Sequence, residues 1–149
     1  MFLEPTRTRL DRLITINRLL ANALEPEELI GRILDGAIQL FSAEGGAIAL
    51  VDEVQSAMVF VSVQGGGKEV LQEFRLILGQ GIIGWVAQTG RGVICNDAAQ
   101  HPHFFGEIDQ RSGFHTRSIL CAPLKSHDQL FGAIEVINTR HPEGFTEAD

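Results

Sequence analysis

The chain has 149 residues, of which 44% are hydrophobic and 21% charged, so it is long and apolar enough for one folded domain with or without an added helix. Its 12 basic and 19 acidic residues leave a formal charge of −7, which disfavours general nucleic-acid binding because phosphate backbones repel a negative protein. No apolar run approaches the roughly 20 residues of a membrane-spanning helix, and two cysteines make no disulfide framework, so we expect a cytoplasmic location.

The first predicted element is a helix over residues 6–23, within an N-terminal segment that we assign to residues 1–24. Its apolar residues recur at helical spacing, and a heptad repeat places Asn17 in a seam otherwise filled by leucine. The seam leucines are Leu3, Leu10, Leu13, Leu20 and Leu24. A single asparagine in such a seam pairs with its own copy in a parallel dimer and fixes the register. We therefore expect this helix to hold a homodimer; the alternative is that it packs only on its own domain.

A second predicted helix starts around Pro26, which suits a first helical turn, and Glu27 and Glu28 carry the negative charge that a helix N-terminus favours. We expect it to end between Ser42 and Gly45. The predicted strands that follow are Gly46–Val51, Ala57–Val63, Phe74–Leu78, Gly92–Cys95, Arg117–Leu124 and Leu130–Asn138, with a helix over Gly81–Gln88 and a short helix within Asn96–Gly113. This order predicts an α+β fold built on a mainly antiparallel sheet.

Two glycine-rich segments resemble phosphate-binding loops, but neither meets the requirements of one. Residues 79–84 have the pattern G-x-G-x-x-G, yet the next strand follows too soon for a parallel βαβ unit and the expected acid about 20 residues on is missing. Residues 65–68 read Gly-Gly-Gly-Lys, but Glu69 stands where a phosphate loop has serine or threonine. We expect a sharp strand-to-helix turn in the first segment and a hairpin loop in the second.

The sequence offers no strong catalytic constellation. His101 and His103 would suit a metal, but no third ligand follows at a fixed spacing. Cys95 and Cys121 both lie in apolar strand runs, where inert core thiols are the usual finding. We therefore expect a non-enzymatic domain without a metal and with two unpaired, slowly reacting cysteines.

Three segments together carry a resemblance to a known family. They are GQGIIGWVAQTGRGVICNDAAQHPHF at 79–104, GFHTRSILCAPL at 113–124 and FGAIEVIN at 131–138. With these motifs in this order, the sequence from about Leu20 to Asp149 resembles a GAF domain, and we assign residues 25–149 to it. The resemblance implies a six-stranded antiparallel sheet with helices on both faces and a ligand pocket under the mid-chain helices.

Within that family the sequence is most similar to the branch that binds cyclic nucleotides. Asn138, Phe145 and Asp149 match a motif of that branch, whereas Thr139 replaces its lysine, so the Lys–Asp pair of the motif cannot form. The Phe-Asp pair that reads the base in that branch has no match after Val63. The resemblance implies a small-molecule ligand, with a cyclic nucleotide as one candidate.

Six pocket residues carry over from the resemblance. They are the helix-start residues Ile82 and Ile83, the acid Asp109 over the ligand, the aromatic Phe114, the hydroxyl-bearing Thr116 and the polar wall residue Glu135. Each has an ordinary alternative in core packing, turn capping or a solvated strand face. Glu135 is the most informative, because strand alternation places it with Ala133 and Ile137, where a buried acid needs a partner.

Other activities of the family need residues that this chain lacks. Bilin-carrying members use a cysteine before the late strands, and residues 101–115 contain none. Members that reduce free methionine sulfoxide need one cysteine where Ile83 stands and another in that same stretch. Haem-binding members use a pocket histidine, for which His103 and His115 are the candidates. The resemblance thus implies a regulatory domain rather than an enzyme.

We expect a small-molecule-sensing domain of a larger bacterial signalling protein, with an output domain elsewhere in the full-length chain and no nucleic-acid or membrane contact in this segment. Because a helix N-terminus favours anions, a nucleotide-like or otherwise anionic ligand is expected between the sheet and residues 79–116, acting on the dimer helices. The alternative is a ligand-free domain that only dimerises and relays a signal.

The cavity distinguishes these two functions. An enclosed pocket with Asp109 and Glu135 facing into it would favour sensing. A space filled by aromatic rings would favour the structural role, and the candidate rings are Trp85, Phe104, Phe105 and Phe114.

Overall fold

The computed structural model describes residues 25–65 and 75–149. The helix predicted at residues 6–23, the dimer assigned to it and most of the predicted glycine-rich hairpin loop lie outside the described residues. The elements are α1 (Pro26–Leu40), β1 (Ala43–Asp52), β2 (Ala57–Gln64), β3 (Arg75–Ile77), α2 (Gly81–Thr89), β4 (Val93–Cys95), a 3-10 turn (Ala98–Gln100), α3 (Glu107–Ser112), β5 (Ile119–Ser126) and β6 (Gln129–Thr139).

The six strands form one antiparallel sheet in the order β3-β2-β1-β6-β5-β4. This confirms the predicted α+β class and the six-stranded sheet. The long strands β1 and β6 lie at its centre, and Glu135 of β6 pairs with Ala47 of β1 on one side and Cys121 of β5 on the other. Glu135 therefore lies in the middle of the sheet.

Helices cover both faces of the sheet, as predicted. On one face α2 packs against the larger core, which includes Ala49, Ala133 and Cys121. On the other face α1 contributes to a smaller core around Val136 and Phe145. Among the described residues, no helix is long and apolar enough to cross a membrane.

The junction of α1 and β1 differs from the prediction. The helix ends at Leu40 and the strand already starts at Ala43, three residues before the predicted Gly46. The backbone N–H groups of Phe41 and Ser42 donate to carbonyls of the last helical turn, and Ser42 takes a φ of 51°. The helix therefore ends earlier than the predicted Ser42–Gly45, and a two-residue turn connects it to the strand.

The start of β5 was also predicted too early, at Arg117 rather than Ile119. The N–H groups of Arg117 and Ser118 donate to the side-chain oxygen of Asn138, at 2.7 and 3.2 Å. For these two N–H groups a side-chain oxygen therefore replaces the carbonyl of a neighbouring strand, although the carbonyl of Ser118 still accepts the backbone N–H of Asn138 at 2.8 Å.

The predicted sharp turn into α2 is confirmed. Gly79 and Gly81 have φ values of 92° and 72°, which an L-residue rarely adopts, and the N–H of Gln80 donates to the carbonyl of Ile77 at 2.8 Å. The turn directs the first residues of α2 towards the interior. The long polar stretch after β4 contains the 3-10 turn and α3, where a single short helix was predicted.

Candidate functional site

A cavity of about 70 Å³ lies between the sheet and the segments that cross its α2 face. Its floor comes from β2, β5 and β6, its side from the first turn of α2, and its cover from residues 104–116, which include α3. A largely apolar lining with a few inward polar groups is the usual architecture of a small-ligand site.

All six residues that the sequence predicted for the pocket line this one cavity. Ile82 and Ile83 are buried, with 4% of each exposed, and Thr116 is 8% exposed. The structure thus brings together side chains that are up to 53 positions apart, from Ile82 to Glu135. Whether they bind a ligand remains a prediction.

Other lining residues were not among the predicted pocket residues, for example Phe60, Ile108 and Ile137. Strand alternation had already placed Ile137 on the same face as Glu135, which was enough to add it to the predicted pocket. Phe60 faces the cavity because it pairs with Ala49 in the sheet, a register that includes a bulge. That register was not readable from the sequence.

The Asp109 carboxylate is held in place by one residue. The backbone N–H of Thr116 donates to one carboxylate oxygen at 2.7 Å, and the Thr116 hydroxyl donates to the other at 2.8 Å. The resemblance implied that this hydroxyl faces a ligand; in the structure its proton is committed to Asp109. Thr116 therefore positions the acid that lines the cavity.

Glu135 lines the same cavity in a different environment. It is half-buried, and among the residues that the structure describes no group hydrogen-bonds to its carboxylate. Burial, together with the nearby charge of Asp109, raises the pKa of the Glu135 carboxyl to about 7. Part of its surface stays accessible, and it lines the cavity without a hydrogen-bond partner among the described residues.

The charge of the cavity is one-sided. Asp109 and Glu135 are its acids, whereas the described residues that line it include no lysine, arginine or histidine. The helix-start backbone at Gly81 supplies only a partial positive charge. Two carboxylates facing one small space make its potential negative when both are ionised.

Aromatic rings narrow the cavity without filling it. Phe104, Phe105 and Phe114 all line it. Trp85 does not, because its ring stacks on His103 with centroids 5.0 Å apart and planes at 20°. The cavity thus combines the two acids that would favour a sensing function with the aromatic rings that would favour a structural one.

The residues that match the cyclic-nucleotide motif hold the end of the sheet together. Asn138 is fully buried; its amide nitrogen donates to the His115 carbonyl at 2.9 Å and to Glu44 at 3.3 Å. The Thr139 hydroxyl donates to the carbonyl of Phe41 at 2.9 Å. Phe145 is 2% exposed in the smaller core. These contacts are structural and lie outside the cavity lining.

The histidines do not assemble a metal or haem site in the part of the chain that the structure describes. His101 accepts the backbone N–H of His103 on its Nδ1 atom at 3.1 Å, which occupies one ligand position. No group of three potential metal ligands occurs among the described residues, and neither His103 nor His115 lines the cavity.

Cys95 and Cys121 are both buried and unpaired, as predicted. Burial, and secondarily the charge of Glu135, raises the pKa of the Cys121 thiol well above its usual range. A thiol that stays protonated is a poor nucleophile.

Comparison with known proteins gives consistent matches. The family model for the GAF domain matches residues 23–149. The chain is 33% identical over 144 residues to the dual 3′,5′-cyclic-AMP and -GMP phosphodiesterase 11 of Drosophila melanogaster. That match covers 87% of this chain and 10% of the phosphodiesterase, so the chain spans about a tenth of that relative's length.

Two solved structures show the same fold. The GAF domain of a phosphoenolpyruvate-protein phosphotransferase from Coxiella burnetii is similar with a TM-score of 0.74 and 20% identity, over 97% of this chain and 84% of that one. Free methionine-R-sulfoxide reductase from Neisseria meningitidis, solved with its substrate, has a TM-score of 0.68 and 21% identity, over 100% of this chain and 84% of that one. At these identities the likeness concerns the fold.

Proposed function

Because the chain belongs to the GAF domain family, we propose that it senses a small molecule in the cavity between the sheet, α2 and α3. GAF domains are typically regulatory or sensor modules of signalling proteins. The observation that carries the proposal is the pair of acids in the cavity. Asp109 is fixed by Thr116, while Glu135 has no protein partner among the described residues. A buried polar group without a partner is costly, and a ligand would satisfy it.

The size of the cavity limits the ligand. At about 70 Å³ it has room for a few water molecules or a few heavy atoms, whereas drug-sized ligands occupy about 300–1,000 Å³. A cyclic nucleotide is the candidate from the resemblance. It would bind only if the cover of the cavity, formed by residues 104–116, opened. A smaller ligand would bind the cavity as it stands.

A set of hydrogen bonds supports transmission from the cavity to α1. Thr116 holds Asp109, and the next residue, Arg117, donates its N–H to Asn138 and its guanidinium to Glu44 at the start of β1. Thr139, next to Asn138, donates to the carbonyl of Phe41, the residue that follows α1. A shift of the cover would therefore reach the end of α1 through rigid contacts. Ligand binding can shift such an equilibrium only by its differential affinity for the two arrangements.

The second part of the proposal is a homodimer held by the N-terminal helix, which lies outside the described residues. Exposed apolar side chains on α1 support it, since Leu29 is 40% and Ile33 52% exposed. Such side chains on neighbouring turns of a helix favour contact with another helix. Sedimentation of the full chain and of a chain starting at Glu25 tests this: a dimer and a monomer support the proposal, and two monomers refute it.

We extend the proposal to the context of the domain: a cytoplasmic, non-catalytic module whose output domain lies in the same full-length protein. The membership of GAF domains in multidomain proteins supports this. The competing function is a ligand-free domain that dimerises and relays a signal, and the phenylalanine rings around the cavity favour it.

Isoleucine methyl NMR of the purified chain, titrated with the compounds of a small-molecule screen, separates the two functions. We expect at least one compound to shift the isoleucines that line the cavity saturably. Ile108→Trp enlarges a residue of the cavity cover and should abolish these shifts, whereas Ile94→Trp, at a 40% exposed position of β4 outside the cavity, should not. An unliganded wild-type chain whose cavity stays closed to every compound of a small-molecule screen would leave the relay function.

A further inference from the structure

We infer that the ligand of this cavity is a small cation, a protonated amine of a few heavy atoms. The inference rests on the proposed function, since it names the chemical class that the sensing cavity accepts. It differs from the anionic ligand that the start of α2 suggested from the sequence. Three features of the cavity, its charge, its rings and its unpartnered acid, lead to the same class.

The first feature is charge. Asp109 and Glu135 both line the cavity, and no basic side chain does so among the described residues. A bound anion would face two carboxylates, with only the partial charge at the N-terminus of α2 to offset them. A bound cation would face two opposite charges in a partly enclosed space, where charge-assisted hydrogen bonds are stronger than in bulk water.

The second feature is the aromatic lining. Four phenylalanines line the cavity: Phe60, Phe104, Phe105 and Phe114. The face of an aromatic ring attracts a cation within about 6 Å, and ammonium groups are recognised in this way. The same rings would repel the electron-rich oxygens of an anion. Rings and acids around one space are therefore complementary to an ammonium group with a short alkyl chain.

The third feature is the contrast between the two acids. Asp109 has a donor on each oxygen, both from Thr116. Glu135 has none from the described residues, although it lies in the middle of the sheet. A group with N–H donors in the cavity would supply the missing hydrogen bonds of Glu135 and also reach the free lone pairs of Asp109. An ammonium carries three such donors.

The probe that tests the inference is ethylammonium, with ethanol as a neutral compound of equal heavy-atom number and acetate as a small anion. The readout is methyl NMR of isoleucine, at pH 8 and constant ionic strength. Five isoleucines line the cavity: Ile82, Ile83, Ile108, Ile119 and Ile137. Isoleucines outside it, such as the exposed Ile33 and Ile94, serve as internal controls. A ligand of three heavy atoms binds at best in the millimolar range, which the titration covers.

We expect ethylammonium to shift the cavity isoleucines saturably and to leave Ile33 and Ile94 unchanged. Glu135→Gln keeps the shape of the side chain and removes its charge, and should weaken binding at least about tenfold, as loss of a charged hydrogen bond does. Glu143→Gln, the same change at an exposed residue after β6, should leave binding unaltered and so controls for net charge.

Three outcomes overturn the inference. Shifts by acetate that exceed those by ethylammonium would show that the cavity prefers an anion, and the sensing function would stand with another ligand class. Ethylammonium shifts that Glu135→Gln does not weaken, or no shift at all at the cavity isoleucines, would remove the cation as ligand. Failure of the sensing function itself would be seen separately, as cavity isoleucines that shift with no compound of a small-molecule screen.

Discussion

Thr116 holds both oxygens of the Asp109 carboxylate by donating its backbone N–H to one and its hydroxyl to the other, at 2.7 and 2.8 Å. The contact joins α3 to the chain just before β5, so the cover of the cavity is fastened to the sheet. Asp109 is thereby held facing the cavity before any ligand binds. Such preorganisation reduces the entropy that a ligand has to overcome.

Replacement of the Thr116 hydroxyl should release this acid. Thr116→Val keeps the shape and removes a hydrogen bond to a charged group, so we expect a loss of about 2 kcal/mol in the free energy of unfolding. Chemical denaturation measures it. Thr116→Ser keeps the hydroxyl and should lose clearly less; equal losses in both variants would show that the hydroxyl contributes nothing.

Glu135 should make the protein less stable as pH rises. Its carboxyl has a pKa of about 7 in the folded chain against the usual 4.5, so the folded state holds the proton more tightly than the unfolded state does. The contribution of Glu135 to stability is therefore most favourable below about pH 4.5 and declines until the pH passes about 7. The shift corresponds to at most about 3 kcal/mol, and water in the cavity reduces this, so we expect 1–3 kcal/mol, roughly.

Glu135→Gln should remove that decline. Urea denaturation at pH 5 and pH 8 measures the free energy of unfolding of the variant and of the wild type. From pH 5 to pH 8, the variant should become more stable relative to the wild type. Glu143→Gln, exposed to solvent, is the control. An equal change in the free energy of unfolding from pH 5 to pH 8 in the wild type and in Glu135→Gln would contradict a raised pKa for Glu135.

Glu44 should show the opposite dependence. Partial burial alone would raise its pKa, but hydrogen bonds from Arg117 and Asn138 and the charges of Arg117 and Arg140 lower it overall. Its stabilisation is therefore present above the usual 4.5 and is lost as pH falls through the lowered value. Glu44→Gln should cost under about 1 kcal/mol at pH 7, because the ion pair is largely exposed, and less at pH 3. A cost that grows towards acid pH would contradict this.

Asn138 should be among the least replaceable residues. It is fully buried and accepts two backbone N–H groups with one oxygen. Asn138→Ala leaves these donors buried without a partner, so we expect a loss of about 3 kcal/mol. Its φ of 58° adds strain for alanine but not for glycine, so Asn138→Gly should be more stable than Asn138→Ala by about 1 kcal/mol. Thermal unfolding of both variants measures the difference, and the reverse order would refute the role of the backbone conformation.

Binding of ethylammonium should weaken as pH falls. With a pKa of about 7 for Glu135, the ionised fraction falls roughly tenfold between pH 8 and pH 6, and the dissociation constant should rise by the same factor. The titratable groups facing Glu135 are Asp109 from α3 and Cys121 from β5, whose thiol stays protonated; α2 and the facing part of β1 contribute none. In Glu135→Gln the dissociation constant of ethylammonium should not change between these pH values. The same constancy in the wild type would show that binding does not depend on Glu135.

Much of the fold was predictable because its signals are local. Alternation in β6 placed Glu135 on the core side, and the resemblance supplied six of the residues that line the cavity. The early end of α1 and the late start of β5 were not predictable, since they depend on Ser42 taking a left-handed conformation and on Asn138 binding the backbone 20 residues away. The volume of the cavity depends on how several rings pack in three dimensions, which no spacing encodes. The N-terminal dimer helix remains a prediction.

A crystal structure of the chain grown with ethylammonium at pH 8 tests the central claim most directly. The account predicts the ammonium nitrogen within hydrogen-bonding distance of both Glu135 and Asp109, with the Thr116–Asp109 contacts retained. A cavity that holds only water under the same conditions, or rings that have closed over an unliganded Glu135, would contradict it.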